Sequence, residues 1–370
     1  MPFDDEDSDI AVFDLGGTWF RWGRYASSRG LMDFQRAPAI SYLSHPELSV
    51  EDLQRALTDF IIRCTREMCA VGRGGPKIAS VSVGAPVNAH DNTVLGSGPL
   101  WGPSAKPFQL QSRLREVMPE VDWHVVNDIT ALLAVYMEDG SSFRKTLLLT
   151  ISTGIGCRLY DHRAHRIPYD STHGVQGEIG HLVLTFELDG EVIHRQCECG
   201  GLDHLNAFCS GRGIAGILGS LPAVSPRLGA AICGDPGSWE QADDSHRLAV
   251  FRTLLDERHC IATTLLDALV TPVSRTLTAA LTLDPEIDRI VITGGVAHGL
   301  GNHYRNSLQR VFRKEGVYQI TQRDPQYLTD RLHWEEMDDS GGLRGAGIYA
   351  AIHPLARTHL AAQMTARNPR

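Results

Sequence analysis

Two glycine-rich stretches carry the residues best suited to chemistry. Residues 173–181 read HGVQGEIGH, and residues 197–204 read CECGGLDH. Together these turns present imidazoles, thiols and the carboxylate of Glu178 in one short part of the chain. Thiolates and imidazoles are ligands that zinc prefers, so this mixture is more typical of a zinc-bound loop than of a hydrophobic core. The sequence therefore predicts a zinc-bound loop that leaves Glu178 free to hydrogen-bond a polar ligand.

Two similar turns follow largely apolar strand patterns in different parts of the chain. Residues 10–13 lead into D-L-G-G-T at 14–18, and residues 147–151 lead into S-T-G-I-G at 152–156. A further strand pattern follows each turn, so both segments predict hairpins. Successive backbone amides in such a turn can bind a phosphate, although Gly-Gly turns are also common without a ligand. The repetition indicates two related domains that each contribute one phosphate-binding turn.

A polar pair stands where a third strand pattern ends. Asn127 and Asp128 follow the strand predicted at 124–126 and precede a helix predicted at 130–137. Such a pair is frequently only a helix N-cap. The functional alternative makes Asp128 a catalytic base at the sheet edge, with Asn127 binding a hydroxyl beside it. The residues alone leave both interpretations open.

The remaining patterns alternate strands and helices. Ser49 is a helix cap, and apolar residues at helical spacing follow it as far as Met68. A buried strand is predicted at 78–83. The segment 221–243 contains several proline and glycine residues and predicts a long surface loop.

Two more glycine-rich segments interrupt these patterns. Residues 96–102 are either an ordinary connection or the wall of a cleft in which Trp101 packs on a substrate. The strand pattern at 290–293 runs directly into Gly294 and Gly295. Both segments are therefore turns whose role depends on what lies next to them.

Composition excludes several classes of protein. The 370 residues are enough for two domains, and the 42% hydrophobic and 21% charged residues are ordinary for a globular protein. A net charge of −9 gives no general attraction to nucleic acid or to an anionic membrane. No apolar run approaches the ~20 residues of a membrane span, and the acidic N-terminus does not resemble a secretory signal. The scattered cysteines favour reduced thiols in the cytoplasm, with Cys197 and Cys199 as metal candidates.

In their order and spacing the motifs resemble the ROK family of sugar kinases and repressors, within the actin-like ATPase/hexokinase superfamily. The matching segments are Asp14–Thr18, Asn127–Asp128, Ser152–Gly156, Gly177–His181, Cys197–Gly200 and Ile292–Gly295. One such motif is weak evidence, but six in the family's order are highly specific. They extend over nearly the whole chain.

The resemblance implies an α/β fold of two ribonuclease-H-like domains, with the sugar and ATP in the cleft between them. The small domain would comprise residues 9–127 and a returning C-terminal helix at 345–362. The large domain would comprise residues 128–344 and contain the zinc-binding loop. Residues 1–8 and 363–370 would be disordered tails.

The resemblance also implies roles for single residues in phosphoryl transfer. Asp128 would be the catalytic base that takes the proton of the attacking hydroxyl, and Asp14 would help to organise Mg²⁺. The polyol would be bound by Asn127, Glu178, His181 and Asn206, with Trp101 as a further contact. ATP would be bound by Asp14, Gly16, Gly17, Thr18, Thr153, Gly154, Gly294 and Gly295.

The zinc motif departs from the family's pattern at two positions. In the family, zinc is bound by the histidine of the Gly-His pair and by three cysteines, but here His204 stands at the third cysteine and Asp203 at the glycine before it. Imidazole is a good zinc ligand, so a closed site of four ligands remains the expectation. Its ligands would be His181, Cys197, Cys199 and His204. A metal-free loop held by packing is the alternative.

The substrate is either a hexose, as for a glucokinase, or a C7-cyclitol. Asn206 stands where the family usually has a glutamate that contacts the sugar near its anomeric end. A carbocyclic sugar mimic lacks that end but keeps the exocyclic CH₂OH group, and cyclitol kinases of aminocyclitol pathways belong to this family. A cyclitol of the valienone or valiolone type, phosphorylated on O7, is therefore weighed equally with a hexose.

Two other functional classes belong to the same family. Its repressors carry a helix-turn-helix ahead of the first hairpin, whereas only nine residues precede the first strand pattern here. The alternative to an enzyme is thus a catalytically inactive sugar-binding sensor. No nucleic-acid or membrane partner is expected. Dimers are common in the family, so a homodimer is a further expectation.

Overall fold

The computed structural model describes residues 9–70, 75–102, 106–137, 142–335 and 338–352. The chain divides into two compact units. The first comprises residues 1–142, 160–176 and 337–370, and the second comprises residues 143–159 and 177–336. The tails expected at 1–8 and 363–370 lie outside the described residues, as does the part of the returning helix beyond residue 352.

The helix that begins at Asp128 and residues 160–176 both lie within the first unit. The helix that begins at Asp128 stays with this unit because its Ala131 is buried together with Leu343 and Ala346 of the C-terminal helix at 341–352. The chain first passes from one unit to the other at 142/143.

A five-stranded sheet forms the centre of the first unit. Its strands are β1 (Ile10–Leu15), β2 (Trp19–Ala26), β3 (Gly30–Pro38), β4 (Ile78–Val83) and β5 (Asp122–Asn127), in the order β3-β2-β1-β4-β5. β1 is antiparallel to β2 and parallel to β4, which is parallel to β5. The helices of this unit are α1 (Val50–Ala70), α2 (Gly98–Trp101), α3 (Leu110–Val117), α4 (Asp128–Ala134) and the C-terminal helix.

Strand β1 is buried on both faces, which explains its continuous apolar sequence. Because side chains alternate along a strand, Phe13 and Leu15 share one core with Leu57 of α1. Val12 points to the other face and is buried with Leu343 of the C-terminal helix. The sheet therefore lies between two helical layers, and the turn after β1 emerges at its edge.

A four-stranded sheet forms the centre of the second unit, in the order β11-β10-β6-β7. The strands are β6 (Lys145–Ile151), β7 (Ile155–Asp161), β10 (Ile287–Thr293) and β11 (Leu332–Trp334), and a separate hairpin is formed by β8 (Phe186–Leu188) and β9 (Glu191–Ile193). β10 is parallel to both β6 and β11. The helices are α5 (Leu205–Cys209), α6 (Gly211–Val224), α7 (Pro226–Ile232), α8 (Pro236–Gln241), α9 (Asp244–Asp256), α10 (Cys260–Leu283), α11 (Gly295–Leu300) and α12 (Asn302–Glu315). None of the helices in the described ranges combines the length and apolarity needed to cross a membrane.

The long loop predicted at 221–243 is wrong, because this segment is largely helical. Pro226 occupies the first turn of α7, where a missing backbone N–H removes no helical hydrogen bond. Ser225 caps that helix by accepting from Leu228 N at 3.3 Å, and Asp235 caps α8 by accepting from Ser238 N at 2.9 Å. Pro226 and Pro236 therefore start helices instead of breaking them, whereas Pro222 lies in the last turn of α6.

Candidate active site

The turn between β1 and β2 is a close-packed loop that depends on glycine. Gly16 N donates to Trp19 O at 3.1 Å, and Ser41 Oγ donates to Gly17 O at 2.5 Å. A Cβ atom at position 17 would lie 2.6 Å from Cβ of Pro99, so a side chain does not fit there. Thr18, the next residue, is exposed. This loop is the predicted phosphate turn of the first unit.

Asp14 is the last polar residue of β1 before this turn. Arg21 Nη1 and Ser82 Oγ each donate to its carboxylate at 3.4 Å. Burial raises the pKa of Asp14, and the charge of Arg21 partly offsets this effect. A Cβ atom at Gly342 would lie 2.8 Å from Asp14 Cγ, so the start of the C-terminal helix lies against the carboxylate. A carboxylate here is the donor type that Mg²⁺ prefers.

The predicted catalytic pair lies at the junction of β5 and α4. Asn127 Oδ1 accepts from Ile129 N at 3.0 Å and from Thr130 N at 3.2 Å, so it caps the helix. Asn127 Nδ2 donates to Ala85 O and to Asp128 Oδ1, both at 2.9 Å. Asp128 Oδ1 also accepts from Ile129 N at 2.8 Å. Oδ1 of this carboxylate is thus held by two donors, Asn127 Nδ2 and Ile129 N.

Gly84 brings this carboxylate close to the phosphate turn of the same unit. A Cβ atom at Gly84 would lie 3.4 Å from Gly16 Cα and 3.6 Å from Asp128 Oδ2. Gly84 N donates to Leu15 O at 2.9 Å, which ties the loop after β4 to the end of β1. The first unit therefore holds the predicted base and the first predicted phosphate turn side by side.

The second predicted phosphate turn lies between β6 and β7 in the second unit. Ser152 N donates to Gly154 O at 2.8 Å, and the turn is exposed. Gly294 has a φ of +106°, and a Cβ atom there would lie 2.4 Å from Ile151 O. A Cβ atom at Gly295 would lie 3.8 Å from Ser152 Oγ. The structure therefore brings together the two segments of this unit that the sequence assigns to ATP.

Asn206 is held against the same turn. Its Oδ1 accepts from Ile155 N at 2.7 Å. A Cβ atom at Gly180 would lie 2.5 Å from that oxygen, so the backbone preceding His181 packs directly on the amide. Asn206 thus connects the second turn with the glutamate and histidine segment.

Four predicted metal ligands converge in the second unit. The ligand atoms of His181, Cys197, Cys199 and His204 all lie within 4.8 Å of one another. His204 Nδ1 lies 3.1 Å from Cys199 Sγ and 3.3 Å from His181 Nδ1. Two thiols and two imidazoles are a donor set that fits a structural zinc ion. Cys197 Sγ and His181 Nδ1, 4.0 Å apart, are slightly further apart than the roughly 3.3–3.8 Å between the ligand atoms of a bound zinc. Burial lowers the pKa of His181, which favours the neutral imidazole that binds metals.

The unusual Asp203 is accommodated by its own hydrogen bonds. Its φ is +57°, a left-handed conformation that aspartate tolerates better than most residues. Its carboxylate accepts from Arg195 N at 2.9 Å and lies 2.7 Å from His194 Nδ1. A Cβ atom at Gly201 would lie 2.2 Å from the His204 ring, so glycine is needed there instead. The loop therefore keeps its turn without a glycine at 203.

Two of the predicted substrate contacts, Trp101 and Glu178, lie in very different surroundings. Trp101 was expected to line a cleft, but it is 2% exposed and packs edge-on against Phe108, so it belongs to the core of the first unit. Glu178 is partly exposed, and its Oε1 lies 3.4 Å from Nη2 of the buried Arg158. Arg158 was not among the predicted site residues. The available signal is an arginine within an otherwise largely apolar strand pattern.

These sheets and turns define the class of the protein. Both units contain a sheet whose first hairpin carries a glycine and threonine turn, and the first adds a carboxylate at a helix start. This is the actin-like ATPase and hexokinase fold. Sequence relatives named as kinases match nearly the whole chain, so the protein is a phosphotransferase with an alcohol group as acceptor. The chain belongs to the ROK family, because the sequence model of that family matches residues 15–352.

Individual proteins show how close the similarity is. A 2-epi-5-epi-valiolone 7-kinase from an Actinoplanes species is 37% identical over 350 residues, covering 92% of each chain. A C(7)-cyclitol 7-kinase from Streptomyces hygroscopicus subsp. limoneus is 29% identical over 354 residues, covering 93% of this chain and 94% of that protein. The ROK family glucokinase from Streptomyces griseus, solved with glucose and AMPPNP, has a TM-score of 0.65 at 16% identity, covering 93% of this chain and 99% of that one. The last similarity concerns the fold alone.

Proposed function

We propose that the protein transfers the γ-phosphoryl group of ATP to the exocyclic primary hydroxyl, O7, of a C7-cyclitol. The position of Asp128 at the helix start, next to the Gly16 turn, carries the kinase mechanism. The choice of a cyclitol over a hexose is supported by the 37% identity to a protein named 2-epi-5-epi-valiolone 7-kinase. A hexose is the second candidate, supported by the 25% identity to an N-acetyl-D-glucosamine kinase from Citrobacter koseri and by the fold similarity to a glucokinase.

Asp128 acts as the base in this proposal. As the bond between O7 and the γ-phosphorus forms, the bond from that phosphorus to the β,γ-bridging oxygen breaks and ADP leaves. The proton of the attacking hydroxyl passes to the Asp128 carboxylate. Donation from Ile129 N and Asn127 Nδ2 to Oδ1 stabilises the ionised carboxylate and orients its other oxygen. A loose transition state for phosphoryl transfer demands mainly such positioning.

The two glycine and threonine turns bind ATP in this proposal. Backbone amides at Gly16, Gly17, Thr18, Thr153 and Gly154 cradle the phosphates, and Gly294 and Gly295 lie along the adenosine. Asp14 would hold Mg²⁺ with the nucleotide. When bound, this ion neutralises phosphate charge, while Arg21 keeps the Asp14 carboxylate compensated in its absence.

The polyol hydroxyls are bound by Asn127, Glu178, His181 and Asn206 in this proposal. Zinc would be held by His181, Cys197, Cys199 and His204 and would fix the loop that carries Glu178. It would be structural rather than catalytic because four protein ligands leave no open position. The second ring nitrogen of His181 would remain available to bind a substrate hydroxyl.

An assay of ATP consumption tests the proposal. The panel contains 2-epi-5-epi-valiolone, D-glucose and N-acetyl-D-glucosamine, and ³¹P NMR of the product identifies the phosphorylated oxygen. We expect the highest kcat/KM with the cyclitol and a phosphate on O7. A higher kcat/KM with D-glucose would assign a hexose instead. Binding of a polyol with no turnover of any member would support the sensor.

A further inference from the structure

Strand β7 contains a charged residue where its sequence would otherwise be apolar. The side chain of Arg158 is only 2% exposed, and the preceding residues from Ile155 to Cys157 are buried. Burying a guanidinium group is unfavourable unless its charge and its hydrogen bonds are compensated. Arg158 is therefore not explained by packing alone, and its partners indicate its role.

Two contacts of Arg158 are to Cys157 of its own strand and to Glu178. Arg158 Nη1 donates to Cys157 O at 2.7 Å, and Nη2 lies 3.4 Å from Glu178 Oε1. The second distance is long for a charge-assisted hydrogen bond. Arg158 therefore acts on Glu178 mainly through its charge.

The backbone around Gly177 is shaped to admit the guanidinium. Cys157 N donates to Gly177 O at 3.0 Å, which fixes the segment against β7. Gly177 has a φ of +81°, and a Cβ atom there would lie 1.8 Å from Cys157 O and 2.8 Å from Arg158 Nη1. Only glycine is compatible with this approach. Strand β7, Gly177 and the Arg158 guanidinium together fix the position of the backbone that carries Glu178.

Glu178 is held on one side only. Its side chain is 38% exposed. In the described part of the chain its carboxylate has no hydrogen-bond donor besides Arg158. One oxygen therefore faces the buried guanidinium, and the other is available to accept from a ligand hydroxyl.

We infer that Arg158 is a positioning residue that sets the specificity of the polyol site by cancelling the charge of Glu178. A lone carboxylate attracts a substrate ammonium group, whereas a carboxylate paired with a buried guanidinium presents an acceptor without net charge. The site then favours neutral polyols over amino sugars and aminocyclitols at the position that Glu178 contacts. This inference depends on the proposed function, in which Glu178 binds the polyol.

The test compares two variants that shift the charge in opposite directions. In Arg158→Met the glutamate loses the guanidinium, and in Glu178→Gln the guanidinium loses this carboxylate. The dissociation constants of D-glucosamine and D-glucose are measured by calorimetry at neutral pH. We expect the ratio of the glucosamine constant to the glucose constant to fall at least fivefold in Arg158→Met and to rise in Glu178→Gln. With 2-epi-5-epi-valiolone, Arg158→Met should raise the polyol KM about tenfold and leave the KM of ATP unchanged.

A matched control separates this role from general loss of a buried arginine. Arg247 is 13% exposed and donates to Trp239 O at 3.1 Å, without contact to Glu178. Arg247→Met should leave the ratio of the glucosamine to the glucose dissociation constant unchanged.

If Arg158→Met does not fold, Arg158→Lys and Glu178→Gln provide the test. Arg158→Lys should leave the ratio of dissociation constants as in the wild type, and Glu178→Gln should raise it. An unchanged or lower ratio in Glu178→Gln would overturn the inference. Wild-type protein that turns over no polyol would instead refute the proposed function, while the binding ratios still test Arg158.

Discussion

The amide of Asn127 donates to the carboxylate of the residue that follows it, with 2.9 Å between Asn127 Nδ2 and Asp128 Oδ1. The same asparagine caps α4 through its oxygen. The capping and functional interpretations of this pair are therefore compatible. The helix start that satisfies Asn127 also fixes the orientation of Asp128.

Replacement of Asp128 by asparagine is the direct test of the base. Asp128→Asn keeps the shape of the side chain but cannot take the proton, so kcat should fall by about 10²–10⁴-fold. The melting temperature should remain near that of the wild type, because the main cap of α4 is Asn127. Steady-state kinetics with ATP and the cyclitol provide the measurement. Asp122→Asn, at the exposed start of β5, is the control, and wild-type turnover in Asp128→Asn would remove this residue from the mechanism.

Loss of the Asn127 side chain should affect both stability and turnover. Asn127→Ala removes the acceptor for two helix amides and the donor to Ala85 O. The free energy of unfolding should therefore fall by roughly 1–2 kcal/mol, measured by urea denaturation. Asn127→Asp keeps the capping oxygen but puts a buried carboxylate oxygen against Ala85 O and Asp128 Oδ1, so it should lose both stability and kcat. Equal stability of Asn127→Ala and wild type would contradict the capping role.

Local signals in the sequence were sufficient to predict many of the helix starts and turns. Ser49 starts α1 as predicted, because its hydroxyl accepts from Asp52 N at 3.1 Å and so satisfies one amide of the first turn. The glycine turns were also predictable from the sequence. At Gly17 and Gly294 a Cβ atom would clash with neighbouring segments of the same chain, so glycine is required there. Such features depend on residues close in sequence or on one residue type.

Other features depend on tertiary packing and could not be predicted. The glycine-rich segment around Trp101 suggested a loop, but Ser97 caps the short helix α2, which turns Trp101 into the core. The proline spacing in 221–243 predicts a loop, whereas Ser225 and Asp235 cap helices there. The pairing of Arg158 with Glu178 joins residues twenty positions apart. Neither residue's local pattern indicates the other.

The histidine at position 204 allows a specific test of zinc. His204→Cys introduces the ligand found in the family and should retain about one zinc per chain, whereas His204→Ala leaves three ligands and should lose most of the metal. Elemental analysis of purified protein gives the metal content. Loss of the ion should also lower the melting temperature, since structural zinc contributes to folding. Wild-type protein that is active and free of metal would contradict the zinc assignment.

Asp288 should make the stability of the second unit dependent on pH. Its carboxylate accepts from Arg144 N at 3.0 Å and from Lys145 N at 3.1 Å, so it connects the start of β6 to β10. Burial alone would raise its pKa, but these backbone hydrogen bonds and the Arg144 guanidinium outweigh burial and lower the pKa below 3.8. Because the folded pKa lies below the unfolded value, the unfolded chain binds more protons in acid.

The stabilisation from Asp288 is therefore complete well above pH 3.8 and is lost as the pH falls through the folded pKa. Asp288→Asn should lower the free energy of unfolding by about 1 kcal/mol at pH 7, because the amide accepts the same hydrogen bonds without charge. The difference from wild type should shrink as the pH is lowered through 4 toward 3, as measured by urea denaturation at several pH values. Asp330→Asn, an exposed acid on the turn before β11, should show no such trend. A difference between Asp288→Asn and wild type that is constant from pH 7 to pH 3 would show that the charge of Asp288 does not stabilise the sheet.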